Sequence, residues 1–200
     1  TGLDDSTPIL AINSRLVDQR GFDLFAPQVP ALIKAGYRIV VTGSGIRKYE
    51  EQMLRFREQH PGTFHWSRVI DDGMAHRLAA GADFYLMPSK YEPCGLNQMI
   101  SMRYGTIPIV RETGGLIDTV IPYNASTGEG TGFGFRDYTP EALMAVALLA
   151  LEVFRQPEKL DRLRRKGMAQ DFSFGRPARA YLTLAEEIAA AHRGPRGVPA

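Results

Sequence analysis

Short apolar runs alternate along the chain with longer stretches in which apolar and polar residues are mixed. The apolar runs are typical of strands, and they lie at 8–12, 37–41, 63–66, 83–87, 106–110 and 132–135. The mixed stretches between them are typical of helices, and they lie at 22–33, 47–59, 72–80, 95–104 and 114–120. Three further helical stretches follow one another at 140–154, 158–170 and 177–191.

This alternation predicts an α/β fold, a doubly wound parallel sheet with a helical extension at its C-terminal end. The predicted strands are apolar throughout rather than at every second position, as expected when helices cover both faces of a sheet. Pro27 and Pro30 fall inside the helix predicted over 22–33, so they must lie near its first turns or bend it. Asp71 or Asp72 is a suitable N-cap for the helix that follows them.

The length and composition are those of one folded domain. The chain has 200 residues and a mass of 22.2 kDa, with 44% hydrophobic and 23% charged residues. These values exclude a wholly disordered chain. No internal repeat or interdomain linker interrupts the pattern, so we predict a single domain over residues 1–191 and a flexible tail over 192–200.

Several classes of protein are disfavoured by the composition. No run approaches the ~18 apolar residues of a membrane span, and the first residues do not resemble a signal peptide. The single cysteine, Cys94, excludes an internal disulfide and a cysteine-based zinc cluster. The net charge of +2 gives no reason to expect nucleic acid or a membrane as a partner. We expect a cytoplasmic protein without a metal or other cofactor.

Candidate chemistry is expected in the loops that follow strand ends. Doubly wound parallel sheets bind ligands beyond the carboxyl ends of their strands, where the strand order reverses. Loops in such positions with unusual residues lie at 13–21, 42–45, 88–97 and 111–116. No Gly-x-x-x-x-Gly-Lys-Ser/Thr motif is present, which excludes a P-loop ATPase.

The loop at 13–21 carries two arginines five positions apart. Arg15 and Arg20 are followed by Gly21, which begins a predicted helix. Arginine is always charged and can bind a phosphate through two parallel hydrogen bonds, so this loop is a candidate anion site. The alternative is that both arginines are solvated loop residues without a ligand.

The loop at 88–97 joins a strand to a helix. Glu92 is followed by a proline, and Gly95 lets the backbone approach a ligand closely. The free N–H groups at the start of the helix favour a phosphate, and the carboxylate could accept hydrogen bonds from sugar hydroxyls. The alternative is a capped helix start with a surface glutamate. Cys94 has no partner base in the sequence, which favours a buried packing role over nucleophilic catalysis.

Two further loops contain glycine pairs. Gly114 and Gly115 follow the fifth predicted strand, and Gly43 and Gly45 follow the second. Either pair could form a cradle of backbone donors or a plain tight turn. The second pair is not a dinucleotide-binding fingerprint, because Lys48 stands where its last glycine would be.

Taken together, these residues resemble the family of bacterial glycogen synthases and plant starch synthases. The resemblance covers about residues 8–190. It rests on Arg15 with Arg20 and Gly21, and on the late segment Asp171-Phe-Ser-Phe174. It also rests on two longer segments, Lys90-Tyr-Glu-Pro-Cys-Gly-Leu-Asn-Gln98 and Met102-Arg-Tyr-Gly-Thr-Ile-Pro-Ile-Val-Arg-Glu-Thr-Gly-Gly-Leu-Ile-Asp-Thr-Val120. That family consists of retaining glucosyltransferases with the GT-B fold, in which two Rossmann-like halves face one cleft. The resemblance implies that this chain is the C-terminal, donor-binding half.

The resemblance also implies roles for individual residues. Arg15 and Arg20 match cations that hold the donor diphosphate, although the family commonly has lysine at the second position, and Glu92 matches the glutamate that binds the donor glucose. These three are the implied catalytic residues. The other positions implied to bind nucleotide and phosphate are Gly21, Ile70, Gly95, Leu96 and Asn97. Those implied to bind sugar are Cys94, Gly95, Leu96, Thr113, Gly114 and Gly115.

The sequence departs from the family pattern at several places. Ile70 falls where the family often has an aromatic residue that stacks on adenine, and Asn97 stands where threonine is common. The second glutamate of the wider E-x7-E pattern would be at Ile100, although bacterial glycogen synthases commonly lack it too. The family's N-terminal half, which supplies the acceptor surface, is absent, and the start of the chain looks like a cut at the interdomain linker.

The implied function is transfer of glucose from ADP-glucose to the 4-hydroxyl of an α-1,4-glucan with retention. ADP or ADP-glucose would bind to this chain, and the glucan would bind through the missing half. We expect the isolated chain to bind nucleotide without turnover, in the bacterial cytosol or the plastid stroma. The helix predicted over 177–191 should expose Tyr181, Leu182, Leu184 and Ile188 and could support self-association. The alternatives are a related GT-B enzyme with a UDP- or GDP-sugar donor, and a stand-alone module that binds nucleotide sugars without catalysis.

Overall fold

The computed structural model describes residues 6–69 and 71–192, and within them the chain forms a six-stranded sheet. The strands are β1 (Ile9–Asn13), β2 (Arg38–Thr42), β3 (Phe64–Ser67), β4 (Phe84–Met87), β5 (Ile107–Arg111) and β6 (Phe133–Phe135). Every neighbouring pair is parallel, and the order across the sheet is β3-β2-β1-β4-β5-β6. The predicted parallel sheet is therefore confirmed, and its strand order reverses between β1 and β4.

Helices connect the strands and follow the last one. They are α1 (Phe22–Phe25), α2 (Val29–Ala35), α3 (Arg47–Gln59), α4 (Asp72–Gly81), α5 (Asn97–Tyr104), α6 (Gly115–Thr119), α7 (Pro140–Phe154), α8 (Pro157–Met168) and α9 (Gly175–His192). The bounds of α3 and α7 match the sequence predictions. Asp71 caps α4 by accepting a hydrogen bond from the Met74 backbone N–H at 2.7 Å, which confirms one of the two predicted caps.

Successive residues of the central strands point to opposite faces, and both faces are covered. In β4, Phe84 and Leu86 belong to a large apolar cluster that includes side chains of α1, α2, α3 and α7. Tyr85 and Met87 belong to a smaller cluster with side chains of α4, α5 and α6. This arrangement explains why the strand sequences are apolar at every position, and it confirms the doubly wound architecture.

Two predicted helices begin or run differently in the structure. The helix predicted over 22–33 is divided into α1 and α2 by a 3₁₀ turn at Ala26–Gln28. Pro27 lies in that turn and Pro30 near the start of α2, where the missing N–H groups of the two prolines are tolerated. The helix predicted from Gly95 begins at Asn97 instead, because Gly95 has a left-handed backbone with φ of +75°.

The chain divides after Gln170 into two compact units. The first contains the sheet and α1–α8, and the described part of the second, residues 171–192, contains α9. The predicted domain boundary at residue 191 stays a prediction, and the predicted tail beyond His192 lies outside the described residues. On α9 the side chains of Tyr181, Leu182, Leu184 and Ile188 are exposed, as expected, while self-association stays a prediction. No helix in the described ranges is long and apolar enough to cross a membrane.

Candidate functional site

A cavity of about 300 Å³ opens at the carboxyl ends of β1 and β4, where the strand order reverses. Its walls come mainly from the loops that follow these two strands. This is the position at which open parallel sheets bind ligands. The predicted site residues that line it are Arg15, Arg20, Glu92, Gly95, Leu96 and Asn97.

The loop after β1 is fixed to the loop after β2. The backbone N–H of Leu16 donates to the Ser44 carbonyl at 3.0 Å, and that of Ile46 donates to the Leu16 carbonyl at 2.9 Å. An added Cβ at Gly43 would lie 1.9 Å from the Ser14 carbonyl oxygen, so the second loop can approach only as glycine. Among the described residues, the segment 42–45 supplies none of the cavity lining. The tight-turn interpretation therefore fits it better than a ligand cradle.

The two arginines of the first loop have different surroundings. Arg15 is exposed, and within residues 6–69 and 71–192 its guanidinium has no hydrogen-bond or ion-pair partner. Arg20 forms an ion pair with the Glu92 carboxylate, and its side chain is 28% exposed. The Nε of Arg20 is buried and lacks a partner in the described part of the chain. One cation is thus free for a ligand, and the other is held beside the cavity by a carboxylate.

Glu92 is a buried carboxylate, 4% exposed. The Ser89 hydroxyl donates to its Oε2 at 3.3 Å, and the Arg20 guanidinium contacts the same oxygen. Among the described residues Oε1 accepts no hydrogen bond, which leaves an acceptor for a ligand. The alternative of a surface glutamate at a capped helix start is therefore wrong. The reason is that the loop after β1 folds over Glu92 and supplies its counter-ion.

Gly21 lets these two loops meet. An added Cβ there would lie 2.0 Å from the Pro88 carbonyl oxygen, closer than any real contact. The backbone N–H of Lys90 also donates to the Gln19 carbonyl at 2.9 Å. Gly21 therefore acts through close packing behind the cavity, and within the described residues it does not line the cavity.

A buried amide holds the turn before α5. Gln98 is fully buried, and its Nε2 donates to the Gly95 carbonyl at 2.9 Å, to the Cys94 carbonyl at 3.2 Å and to the Thr119 hydroxyl at 3.0 Å. Asn97 Nδ2 donates to the Asn13 carbonyl at 3.0 Å, which ties the start of α5 to the end of β1. These contacts fix the start of the helix beside the cavity, where the first N–H groups favour an anion.

The side chains of this turn point largely to solvent. Leu96 is 64% exposed, and Cys94 is exposed. The sequence-based preference for a buried packing cysteine is therefore wrong. Cys94 lies in an irregular turn ahead of α5, where its backbone is packed while its thiol is not.

The glycine turn after β5 packs against the backbone of the Glu92 loop. The N–H of Gly115 donates to the Glu92 carbonyl at 3.0 Å. A Cβ added at Gly114 would lie 2.0 Å from the Glu92 carbonyl oxygen. A Cβ added at Gly115 would lie 2.5 Å from the Cys94 carbonyl oxygen. In the described structure Thr113, Gly114 and Gly115 lie outside the lining of the 300 Å³ cavity. Their predicted role in sugar binding stays a prediction.

Sequence reasoning missed several residues that build the site. Arg111 Nη1 donates to the carbonyls of Lys90 at 2.8 Å and Ser89 at 3.3 Å, which supports the loop from behind. The buried Tyr85 lines the cavity and donates to the Asn13 carbonyl at 3.3 Å, and burial raises the pKa of its hydroxyl. Gln98 was detectable in principle, because it is a polar residue on the buried side of a predicted helix.

Two further questions are which residue contacts the nucleotide base and whether side chains are placed to hold a metal ion. Ile70, the predicted base contact, lies outside the described residues. Within the described ranges, no group of three or more His, Cys, Asp and Glu side chains is placed to hold a metal ion.

The chain resembles known glycosyltransferases in sequence and structure. A sequence profile of the family described as "Glycosyl transferases group 1" matches residues 7–152. The chain is 45% identical over 186 residues to a glycogen synthase of Desulfitobacterium hafniense, and this match covers 92% of the chain and 40% of the relative. A glycogen synthase of Lactococcus lactis is 43% identical over 187 residues, with 93% of the chain and 39% of the relative covered.

A solved structure adds the same comparison in three dimensions. It is the catalytic domain of Starch Synthase IV from Arabidopsis thaliana bound to ADP and acarbose, with a TM-score of 0.84 and 29% identity. The match covers 94% of this chain and 39% of that one. The chain thus spans about 40% of the length of the relatives that it matches.

Proposed function

The chain belongs to the glycosyl transferases group 1 family, and from this premise we propose that it is the nucleotide-sugar donor domain of a glycogen or starch synthase. The complete enzyme would transfer glucose from ADP-glucose to the 4-hydroxyl of an α-1,4-glucan with retention. The relatives named as glycogen synthases support this choice. So does the structural likeness to a starch synthase that was solved with ADP.

The observation that carries the proposal is the Arg15 guanidinium at the cavity between β1 and β4, which has no partner among residues 6–69 and 71–192. An unpartnered arginine beside the start of a helix suits a diphosphate, since both favour negative charge. Arg20 lines the same cavity and keeps part of its side chain accessible. As the glycosidic bond to the diphosphate breaks, charge builds on the leaving ADP, and these two cations would stabilise it.

Glu92 would orient the donor glucose. Its Oε2 is held by Arg20 and Ser89, so the carboxylate is fixed before a ligand arrives. Its remaining oxygen would accept a hydrogen bond from a sugar hydroxyl. The ion pair with Arg20 would therefore join the two halves of the donor site, because one partner faces phosphate and the other faces sugar.

The glucan acceptor would bind to a part of the enzyme that this chain does not contain. The chain spans about 40% of the length of its relatives, and the motifs that it shares with the family support its being the C-terminal half. We propose that the isolated chain binds ADP and ADP-glucose but does not turn over. Sustained release of ADP from ADP-glucose and glycogen by the purified chain would contradict this.

A panel of nucleotides tests the donor. Thermal unfolding of the chain is measured with equal concentrations of ADP, UDP and GDP. A ligand that binds only the folded state raises the midpoint, and at equal concentrations the ligand that binds more tightly raises it more. We expect the largest rise with ADP. A larger rise with UDP or GDP would instead support a related glycosyltransferase with that donor.

A further inference from the structure

A second cavity, of about 670 Å³, lies at the opposite edge of the sheet. Its lining includes Ile9 and Arg38, the first residues of β1 and β2, and Asp83, which precedes β4. The rest of its wall comes largely from the connection between α7 and α8 and from α8 itself. The cavity of about 300 Å³ proposed to bind the nucleotide-sugar donor, hereafter the donor cavity, lies at the other end of β1 and β4. The two cavities are therefore separated by the length of the strands.

The wall of this cavity is rich in positive charge. Among its described lining residues are three arginines, Arg38, Arg155 and Arg164, and one carboxylate, Asp83. In the described part of the chain, the guanidinium groups of Arg38 and Arg155 have neither an ion-pair nor a hydrogen-bond partner. Within the described residues these two cations in one wall have no counter-ion, so both are available to an anionic ligand.

The one carboxylate among the described lining residues, that of Asp83, already accepts hydrogen bonds through both of its oxygens. Asp83 Oδ1 accepts a hydrogen bond from Arg164 Nη2 at 2.6 Å, and its Oδ2 accepts one from the Ile9 backbone N–H at 3.0 Å. Asp83 therefore positions Arg164 instead of neutralising the other two arginines. The Nε of Arg164 is buried and has no partner within the described residues, although its side chain is one-third exposed.

The remaining wall is apolar. Ile9, Phe154 and Leu160 line the cavity beside the arginines. Such a mixture of cations and apolar side chains suits a molecule with a charged head and an uncharged body, since a bare inorganic anion would gain nothing from the apolar part. Arginine binds phosphate through two parallel hydrogen bonds, which makes a phosphoryl group the fitting head.

We propose that this cavity binds a phosphate monoester of a small organic molecule. Arg38, Arg155 and Arg164 bind the phosphoryl group, and the apolar wall takes the organic body. The site is formed by residues within 6–164 and does not depend on the function proposed for the donor cavity.

The test follows backbone amide resonances of the ¹⁵N-labelled chain during titration with phenyl phosphate, and separately with inorganic phosphate. The Arg15→Ala background weakens competing binding in the donor cavity. We expect saturable shifts at the amides of Arg38, Gly81 and Arg155, with phenyl phosphate binding several-fold more tightly than inorganic phosphate. Equal affinity for both ligands would overturn the role of the apolar wall.

Two sets of variants complete the test. Arg38→Gln and Arg155→Gln, singly and combined, should abolish the saturable shifts, and the unchanged resonances of the sheet will show that the fold persists. Arg57→Gln removes an exposed arginine charge on α3, outside the cavity lining, and should leave the binding intact. Absence of saturable shifts in the Arg15→Ala background, or shifts that survive the double substitution, would overturn the proposal.

Discussion

The two arginines of the loop after β1 show how far a residue's type determines its role. Both were predicted to bind the donor diphosphate. In the described structure the Arg15 guanidinium has no partner, whereas Arg20 pairs with the buried Glu92. The charge of each residue could be predicted from the sequence. The pairing could not, because it depends on which loops meet across a gap of 72 positions.

Substitution of Glu92 tests this pairing. Glu92→Gln would remove the carboxylate that pairs with the partly buried Arg20 guanidinium, so we expect a loss of about 1–3 kcal/mol in the free energy of unfolding. The measurement is urea denaturation. Glu51→Gln is the matched control, since Glu51 pairs with Arg47 on the exposed face of α3, and a surface pair contributes about 0–1 kcal/mol. Equal losses in the two variants would show that the Glu92 pair contributes no more than a surface one.

Buried tyrosines predict a pH dependence of stability. Burial raises the pKa of the hydroxyls of Tyr37 and Tyr85 in the folded chain, so only the unfolded chain ionises at the ordinary value of about 10. The stability that these groups contribute is complete below that pH and declines above it, by about 1.4 kcal/mol per pH unit for each tyrosine.

The check is urea unfolding of the wild type and Tyr37→Phe at several pH values between about 9 and 11. Tyr37→Phe loses the hydrogen bond to the Ala147 carbonyl, so it should be less stable at neutral pH. It should also show a shallower decline above pH 10. If stability declined equally steeply with pH in both proteins, the raised pKa of Tyr37 would not be the cause of the decline.

At the scale of whole elements, sequence patterns located helices well and turns poorly. The predicted bounds of α7 match the structure, in which Pro140 opens the helix after Thr139 and the Thr139 hydroxyl accepts a hydrogen bond from the Ala142 backbone N–H. The start of α5 was misplaced by two residues, because Gly95 adopts a left-handed conformation that the sequence allows but does not require. The contact that fixes it comes from the side chain of Gln98.

Alanine substitutions separate backbone strain from packing in these turns. Gly114→Ala combines a positive φ of +49° with a Cβ 2.0 Å from the Glu92 carbonyl oxygen. Gly62→Ala has a positive φ of +81° but meets nothing within 4 Å. We expect the control, Gly62→Ala, to lose about 1–2 kcal/mol of the free energy of unfolding through backbone strain. Gly114→Ala should lose clearly more, because it adds the steric clash to the strain.

Because Gly114 also supports the loop that carries Glu92, its substitution should weaken ADP binding, whereas Gly62→Ala should not. Denaturant unfolding and nucleotide titration of both variants give the comparison. Similar losses of stability, with ADP affinity intact in both, would mean that the glycine turn does not support the site.

For the molecule as a whole, the family and the location of the cavity between β1 and β4 could be predicted from the sequence. Parallel strands bring their carboxyl ends to one edge of the sheet, so loops far apart in sequence could be assigned to one site. The cavity at the opposite edge was not predicted. Its arginines lie at the start of a strand, after one helix and within another, and no motif relates Arg38 to Arg155 or Arg164.

Calorimetric titration of ADP into the purified chain tests the central claim most directly. The chain, Arg15→Ala and Arg57→Ala are compared under one set of conditions. We predict that ADP binds to the chain and to Arg57→Ala with similar affinity. Arg15→Ala should bind roughly tenfold more weakly or worse, a loss of at least about 1.4 kcal/mol. A folded chain that does not bind ADP, or equal binding by the chain and Arg15→Ala, would contradict the assignment of this cavity as the donor site.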